Sequence, residues 1–357
     1  MTVFAAADFD GHEQVAFVHD RATGLRAIIA VHDTTLGPGA GGVRFWPYAD
    51  DEVALADALR LSRGMTYKSA LAGLPFGGGK SVIIGDPRRD KSPALMAAFG
   101  SAVDRLGGAY IAAEDVGTTV ADMDAIATST RHVAGTSATS GDPSPWTAFG
   151  VFEAIRAAVR FSLGRADGDV AGLTVALQGL GAVGFALARR LHDAGAHLVV
   201  ADVRAEAVER AVAAFGARPA DAENIHRVAA DIFAPCALGA GLNDETIPVL
   251  GARIVAGSAN NQLAAAHHGA MLARRGVLYA PDYVANAGGI VEVAYGSGFM
   301  GARGEDDIRR HVAGIHDTLL EIFARAGADG LPTAVVANRM AEARFRPGGA
   351  RRAGAAA

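Results

Sequence analysis

The sequence predicts an α/β protein of two domains, the second a parallel Rossmann sheet built to hold a dinucleotide. Three observations carry that expectation. The chain has 357 residues, long for one core and suited to two. From Leu173 to Val203 it reads LTVALQGLGAVGFALARRLHDAGAHLVVADV, which is strand, glycine turn, helix, strand. Short strand signals then recur at RIVAGSA and GVLYAPDYV with helix-like text between them, the alternation of a parallel sheet.

Composition narrows the function classes. Half the residues are apolar and one fifth are charged, as in a soluble globular protein. A net charge of −5 offers no basic surface for nucleic acid or for an acidic membrane. The single cysteine, Cys236, rules out an internal disulfide and suits a reducing cytoplasm. The start, MTVFAAADFDGHEQ, lacks the basic and apolar regions of a signal peptide, and no uncharged apolar run reaches membrane length. His267 and His268 form a bare pair outside any HExxH frame, so no metal is expected.

The elements follow in order. VAFVHDRATGLRAIIAVHD predicts two strands around a turn at Thr23-Gly24. DEVALADALRLSRGMTYKSALAG has helical spacing and puts Lys68 near the C-terminal end of that helix. In LPFGGGKSVIIGD, three glycines precede Lys80. A phosphate loop would follow its lysine with a helix, but SVII reads as a strand, so Lys80 should open one. The glycines Gly77, Gly78 and Gly79 are expected to bare their backbone to a ligand. AYIAAEDVG is a strand ending in acid, and VADMDAIATST a short helix. TSGDPSPWTAFG, polar and turn-rich, is the expected domain boundary, with a helix at residues 151–162 after it. A last long helix is expected over residues 306–326, and the tail GGARRAGAAA has no core-forming pattern.

Two places carry chemistry. Gly179-Leu180-Gly181-Ala182-Val183-Gly184 fits GxGxxG, follows a strand and opens a helix. Asp202, with Val203 beside it, ends the next strand eighteen residues beyond Gly184. Glycines there admit a pyrophosphate, and a carboxylate at Asp202 suits a ribose diol and repels a 2′-phosphate, so NAD is expected over NADP. The alternative is a glycine turn that binds nothing. The second place is Lys68, Lys80 and Asp115. One ammonium could hold a substrate carboxylate, a crowded and desolvated second lysine could act as a base, and the aspartate could exchange protons with an amine. On spacing alone, two solvated surface lysines are the plainer reading.

Seven ordered motifs then join these places: GPGAGGVRFWP, GMTYKSALAGLPFGGGK, AAEDVGTT, SPWTAFGV, QGLGAVG, AGSANNQL and YVANAGGIVEVA. Together they resemble the glutamate, leucine, valine and phenylalanine dehydrogenase family over about residues 30–330, and within it the phenylalanine dehydrogenases of actinobacteria. The resemblance implies a substrate, catalytic and oligomerisation domain over 1–147, a NAD domain over 148–329, a segment 330–357 returning to the first, and an active site in the cleft between. It implies a homo-oligomer acting on an amino acid, with a 2-oxo acid and ammonia as products. It gives Lys68 the substrate carboxylate, Lys80 the general base and Asp115 the proton shuttle. Gly41 and Gly42 would line the site, Asn286 would hold substrate, Asn260 and Asn261 would lie near the nicotinamide, and Thr147 would touch cofactor.

The resemblance also frames specificity. Glutamate enzymes of the family place a lysine where this chain has Ala40 and a serine where it has Val293, so a side-chain carboxylate would be buried here without a partner. Ala113 and Ile290 are implied in the same apolar pocket. Leucine enzymes carry a leucine at the position of Ala40, and the smaller alanine suggests room for a ring. That favours L-phenylalanine, with leucine or valine as the alternative. A non-catalytic NAD sensor has no use for a base, and Cys236 as a nucleophile competes with a plain structural cysteine.

Overall fold

The computed structural model describes residues 2–138, 142–301 and 304–346. The chain forms two units. One comprises the described parts of Met1–Gly141, Val293–Ala302 and Ala341–Ala357, the other those of Asp142–Glu292 and Arg303–Met340. The tail GGARRAGAAA lies outside the described residues.

The first unit contains β1 (Gln14–Asp20), β2 (Leu25–Asp33), β3 (Gly39–Trp46), α1 (Asp51–Leu71), β4 (Gly77–Ile84), α2 (Pro93–Asp104), β5 (Tyr110–Glu114) and α3 (Val120–Ala127). The strands lie in the order β1-β2-β4-β3-β5, antiparallel through β1-β2-β4 and parallel through β4-β3-β5. Asp20 sets the first turn by accepting from the Thr23 backbone N–H at 2.9 Å and the Thr23 hydroxyl at 2.7 Å, and Gly24 takes the left-handed conformation beyond it. Side-chain alternation splits the core. Ile28, Ala30 and Val82 pack with Ala54, Ala58 and Leu59 of α1. Ala27, Ile29, Val31 and Ile83 pack with Phe99 of α2 and Ile126 of α3. Asp50 caps α1 through the Val53 N–H, and Ser92 caps α2 through that of Leu95.

The three glycines before Lys80 correct the sequence reading. They are strand residues, so Lys80 stands in the middle of β4 and not at its start. Their backbone meets the protein itself. A Cβ on Gly77 would stand 1.9 Å from the Asp33 carbonyl oxygen, one on Gly78 2.1 Å from Thr66 Oγ1, and one on Gly79 2.5 Å from the Tyr110 ring. All three are buried. They are glycine because α1 and the neighbouring strands pack directly on their Cα atoms.

The second unit begins with α4 (Ser144–Leu163), followed by β6 (Thr174–Gln178), α5 (Ala182–Asp193), β7 (His197–Ala201), α6 (Ala205–Phe215), β8 (Arg218–Pro219), β9 (Ala230–Pro235), β10 (Ala252–Val255), α7 (His267–Arg274), β11 (Leu278–Tyr279) and α8 (Asp282–Ala285). Next come α9 (Gly288–Gly296), α10 (Glu305–Asp329) and α11 (Thr333–Phe345), the chain passing into the first unit at Val293 and again at Ala341. The six strands are parallel in the order β11-β10-β9-β6-β7-β8. The order reverses between β6 and β9, the switch point where such sheets bind ligands at their strand C-termini. Helix α4 starts seven residues before the expected 151. Its prolines, Pro143 and Pro145, sit at the cap and first turn, where a missing N–H costs nothing. The units therefore part before α4, at Asp142, and the C-terminal return begins at Ala341 because α10 and the start of α11 belong to the second unit.

Candidate functional site

In the first unit, Lys80 pairs in register with Ala30 of β2, which places it on the sheet face that α1 covers. Lys68 is half-buried in the last turn of that same helix. Asp115 follows directly on β5, and Lys80 Nζ donates to its Oδ2 at 2.6 Å. Lys80 is only 5% exposed. Burial, aided by the Arg44 charge, drives its ammonium below the usual lysine range even though Asp115 pulls the other way. Burial would raise Asp115, but the Lys80 and Arg44 cations outweigh it and hold the carboxyl well below the usual carboxylate range. Thr118 fixes the backbone there, its hydroxyl accepting from the Asp115 N–H at 3.0 Å and donating to the Val43 carbonyl at 3.0 Å.

Strand β3 runs between these two residues. Gly42 faces Ala113 of β5 in register, and Val43 faces Ser81 of β4. A Cβ on Gly42 would stand 2.5 Å from Asp115 Cβ and 3.1 Å from Lys80 Nζ, and one on Gly41 would strike the Gly79 carbonyl oxygen. Gly42 is thus the bare floor on which the lysine and aspartate meet. Ala40 is buried on the same strand, Ala113 is half-buried, and Ile290 and Val293 are half-buried on α9.

Sequence reading passed over three residues at this centre. Arg44 Nε donates to Asp115 Oδ2 at 3.0 Å and its Nη1 to Asp57 Oδ2 at 2.9 Å, where the Tyr48 hydroxyl also donates at 2.5 Å. The available signal was the period of two along GGVR, which puts residue 44 on the face of residue 42.

In the second unit, each glycine of the turn has its own reason. Gly179 has φ +95°, which only glycine adopts readily. A Cβ on Gly184 would stand 2.0 Å from the Gly179 carbonyl oxygen, so that glycine closes helix onto strand. A Cβ on Gly181 would meet nothing within 4 Å, and Gly181 caps α5 without a side-chain hydrogen bond. Ala182 and Val183 supply the first turn of α5. Open space before bare helix N–H groups fits a pyrophosphate. Asp202 Oδ2 accepts from the Leu180 N–H at 2.6 Å, and Oδ1 accepts from the Arg204 backbone at 2.9 Å and side chain at 3.2 Å. Val203 next to it is exposed.

Asn286 Nδ2 donates to Asn260 Oδ1 at 2.8 Å and to the Ser258 carbonyl at 3.0 Å, joining two of the expected residues. Its buried Oδ1 has no partner among the described residues, an acceptor suited to a donor on a bound molecule. Asn261 is left-handed, with φ +51°. Thr147 hydrogen-bonds the Pro143 carbonyl at 3.2 Å and occupies the space a side chain on Gly289 would need. Burial raises the Cys236 thiol, which makes it a poorer nucleophile, and Cys236 packs against the glycine turn. His268, with His267 and Asp244, forms a grouping of metal-ligand type. His268 Nδ1 already accepts the Ala265 N–H at 2.8 Å, which leaves its Nε2 as the ring nitrogen facing Asp244, at 3.4 Å.

Comparison with known proteins bears on both units. Residues 12–132 match the family model "Glu/Leu/Phe/Val dehydrogenase, dimerisation domain", and residues 199–297 match "Glutamate/Leucine/Phenylalanine/Valine dehydrogenase". A leucine dehydrogenase from Geobacillus stearothermophilus is 50% identical over 348 residues, covering 97% of this chain and 94% of the relative. A valine dehydrogenase from Streptomyces albus is 50% identical over 362 residues, covering 97% and 95%. Among solved structures, an L-tryptophan dehydrogenase from Nostoc punctiforme is 45% identical with a TM-score of 0.80, covering 94% of this chain and 96% of that one.

Proposed function

The chain belongs to the glutamate/leucine/phenylalanine/valine dehydrogenase family, and from that premise we propose that it is an NAD-dependent dehydrogenase for a branched aliphatic L-amino acid, leucine or valine. Amino-acid dehydrogenase chemistry is common to its relatives. The observation that carries the substrate choice is the pair of relatives, about half identical over nearly the whole chain, named for leucine and valine. Phenylalanine, which Ala40 suggested, has weaker support. An aromatic substrate stays as the second reading because of the tryptophan enzyme at 45% identity.

The reaction is reversible oxidative deamination. NAD, held by the 179–184 turn, would supply the hydride acceptor for the substrate Cα. The residues of this chain do the rest. Lys68 holds the α-carboxylate. Lys80, buried and with its ammonium destabilised, takes a proton from the water that attacks the iminium carbon. Asp115 moves protons to and from the substrate nitrogen, which leaves as ammonia while the carbon becomes a 2-oxo acid. In the first unit Ala40, Ala113 and Val293 offer apolar surface to the substrate side chain; in the second, Asn286 offers its Oδ1 and Ile290 an apolar contact. In the second unit the 179–184 turn and Thr147 hold the cofactor, and Asp202 selects NAD. The family description of the first unit as a dimerisation domain supports a homo-oligomer. Among the described residues no helix is long and apolar enough to cross a membrane, and the free Cys236 fits a cytoplasmic setting. A panel of amino acids assayed for NADH formation tests the reading.

A further inference from the structure

We propose that Arg44 is a positioning residue for the deamination: it grips Asp115 through Nε and Asp57 through Nη1, and so fixes the carboxylate that Lys80 and the substrate nitrogen share. The inference rests on the reading of Lys80 and Asp115 given above and adds a residue to it.

The geometry is specific. Two cationic donors, Lys80 Nζ at 2.6 Å and Arg44 Nε at 3.0 Å, converge on one oxygen of Asp115, its Oδ2. The other oxygen, Oδ1, receives neither. A carboxylate held from one side by two cations cannot rotate without breaking both contacts, so Oδ1 keeps one direction. Arg44 is itself held. Its Nη1 meets Asp57 of α1 at 2.9 Å, and the Tyr48 hydroxyl shares that same Asp57 oxygen. The Arg44 side chain is 19% exposed and that of Asp115 17%. A guanidinium is suited to the task because its planar fork reaches two carboxylates at once and stays charged throughout the working pH range.

The arrangement also sets charge. Asp115 just past β5, Arg44 from β3 and Asp57 from α1 act on Lys80, while the Tyr48 hydroxyl binds Asp57 and that of Tyr110 the Gly41 carbonyl. Burial keeps both tyrosines neutral. Among the described residues, the charges that act most on the buried amine are the Asp115 and Asp57 carboxylates and the Arg44 guanidinium. Arg44 disfavours the Lys80 ammonium, while Asp57 and Asp115 favour it.

The test uses the full chain and four proteins: wild type, Arg44→Met, Arg44→Lys and Asp57→Asn. For each, kcat and KM are measured with the preferred amino acid across pH, and NADH affinity by fluorescence titration. Arg44→Met should lower kcat about 10- to 100-fold with NADH affinity within about twofold of wild type. The limb of kcat/KM that rises with pH should move about half a unit alkaline, because a cation beside Lys80 is gone. Asp57→Asn removes an anion and should move the limb the other way. Arg44→Lys should recover part of the loss. If Arg44→Met fails to fold, the Asp57→Asn shift and the Arg44→Lys rate decide. Loss of rate with an unmoved limb, or an alkaline shift in Asp57→Asn, would reduce Arg44 to a structural residue and overturn the proposal. A wild type inactive on every amino acid would instead refute the underlying reading.

Discussion

Lys80 and Asp115 meet in a 2.6 Å contact over Gly42, a residue that cannot carry even a methyl group without striking the aspartate and crowding the lysine. One strand supplies the lysine, the residue just past a second supplies the aspartate, and the strand between them is bare where they touch. The account of this protein rests on that pair.

Replacing the base tests it first. In the proposed mechanism the Lys80 amine activates water, so Lys80→Ala should cut kcat by about 10²- to 10⁴-fold. The second unit is untouched, so NADH should still bind with wild-type affinity in a fluorescence titration. A turnover within about tenfold of wild type would remove Lys80 from the mechanism.

Gly42→Ala separates placement from chemistry. Its Cβ would stand 2.5 Å from Asp115 Cβ, so the carboxylate must shift while every functional group remains. We expect a loss of kcat of about 10²-fold, with circular dichroism unchanged. Gly41→Ala, whose Cβ would overlap the Gly79 carbonyl oxygen, should instead fail in folding yield. Equal activity in Gly42→Ala and wild type would contradict the geometry.

Asp202 has two tasks on the structure. It ties the glycine turn through the Leu180 N–H and restrains Arg204. Asp202→Ala should therefore weaken NADH binding by about 1–2 kcal/mol, and the freed Arg204 should narrow the gap between NADH and NADPH. Titration with both cofactors reads this directly. Unchanged selectivity would mean that Asp202 does not discriminate.

Glu292 gives a pH signature in stability. It is 8% exposed, its Oε2 has no partner among the described residues, and burial, followed by the Asp142 charge, pushes its pKa from 4.5 up to about 7. A carboxyl that holds its proton more tightly when folded stabilises the fold most below the unfolded value. That contribution is lost as pH rises from about 4.5 through about 7, at a cost of up to about 3 kcal/mol. Glu292→Gln should therefore raise Tm at pH 8 and do little at pH 4.5. A Tm difference independent of pH would show that Glu292 is not the group concerned.

Much of this was legible in the chain. The Thr23-Gly24 hairpin, Lys68 in the last turn of α1, Asp115 just past β5 and the whole β6-turn-α5-β7 unit follow from local pattern, because period and turn chemistry are local. The meaning of Gly77–Gly79 was not. What a glycine makes room for depends on which distant atoms arrive there, here Asp33, Thr66 and Tyr110. Arg44 was hidden for the same reason, since its partners lie 13 and 71 residues away. The start of α4 was misplaced because proline-rich text reads as a break, yet prolines are welcome in a helix's first turn. Substrate choice was the least legible. A methylene of pocket space is worth only about 1–3 kcal/mol, so Ala40 by itself cannot decide between a ring and a branched chain.

The most direct measurement is therefore NADH formation, followed by absorbance, with purified protein, NAD and a panel of L-leucine, L-valine, L-phenylalanine, L-tryptophan and L-glutamate. The account predicts a kcat/KM for leucine or valine well above the aromatic acids, and no turnover of glutamate. Turnover of none of them by a protein that binds NADH would contradict its central claim.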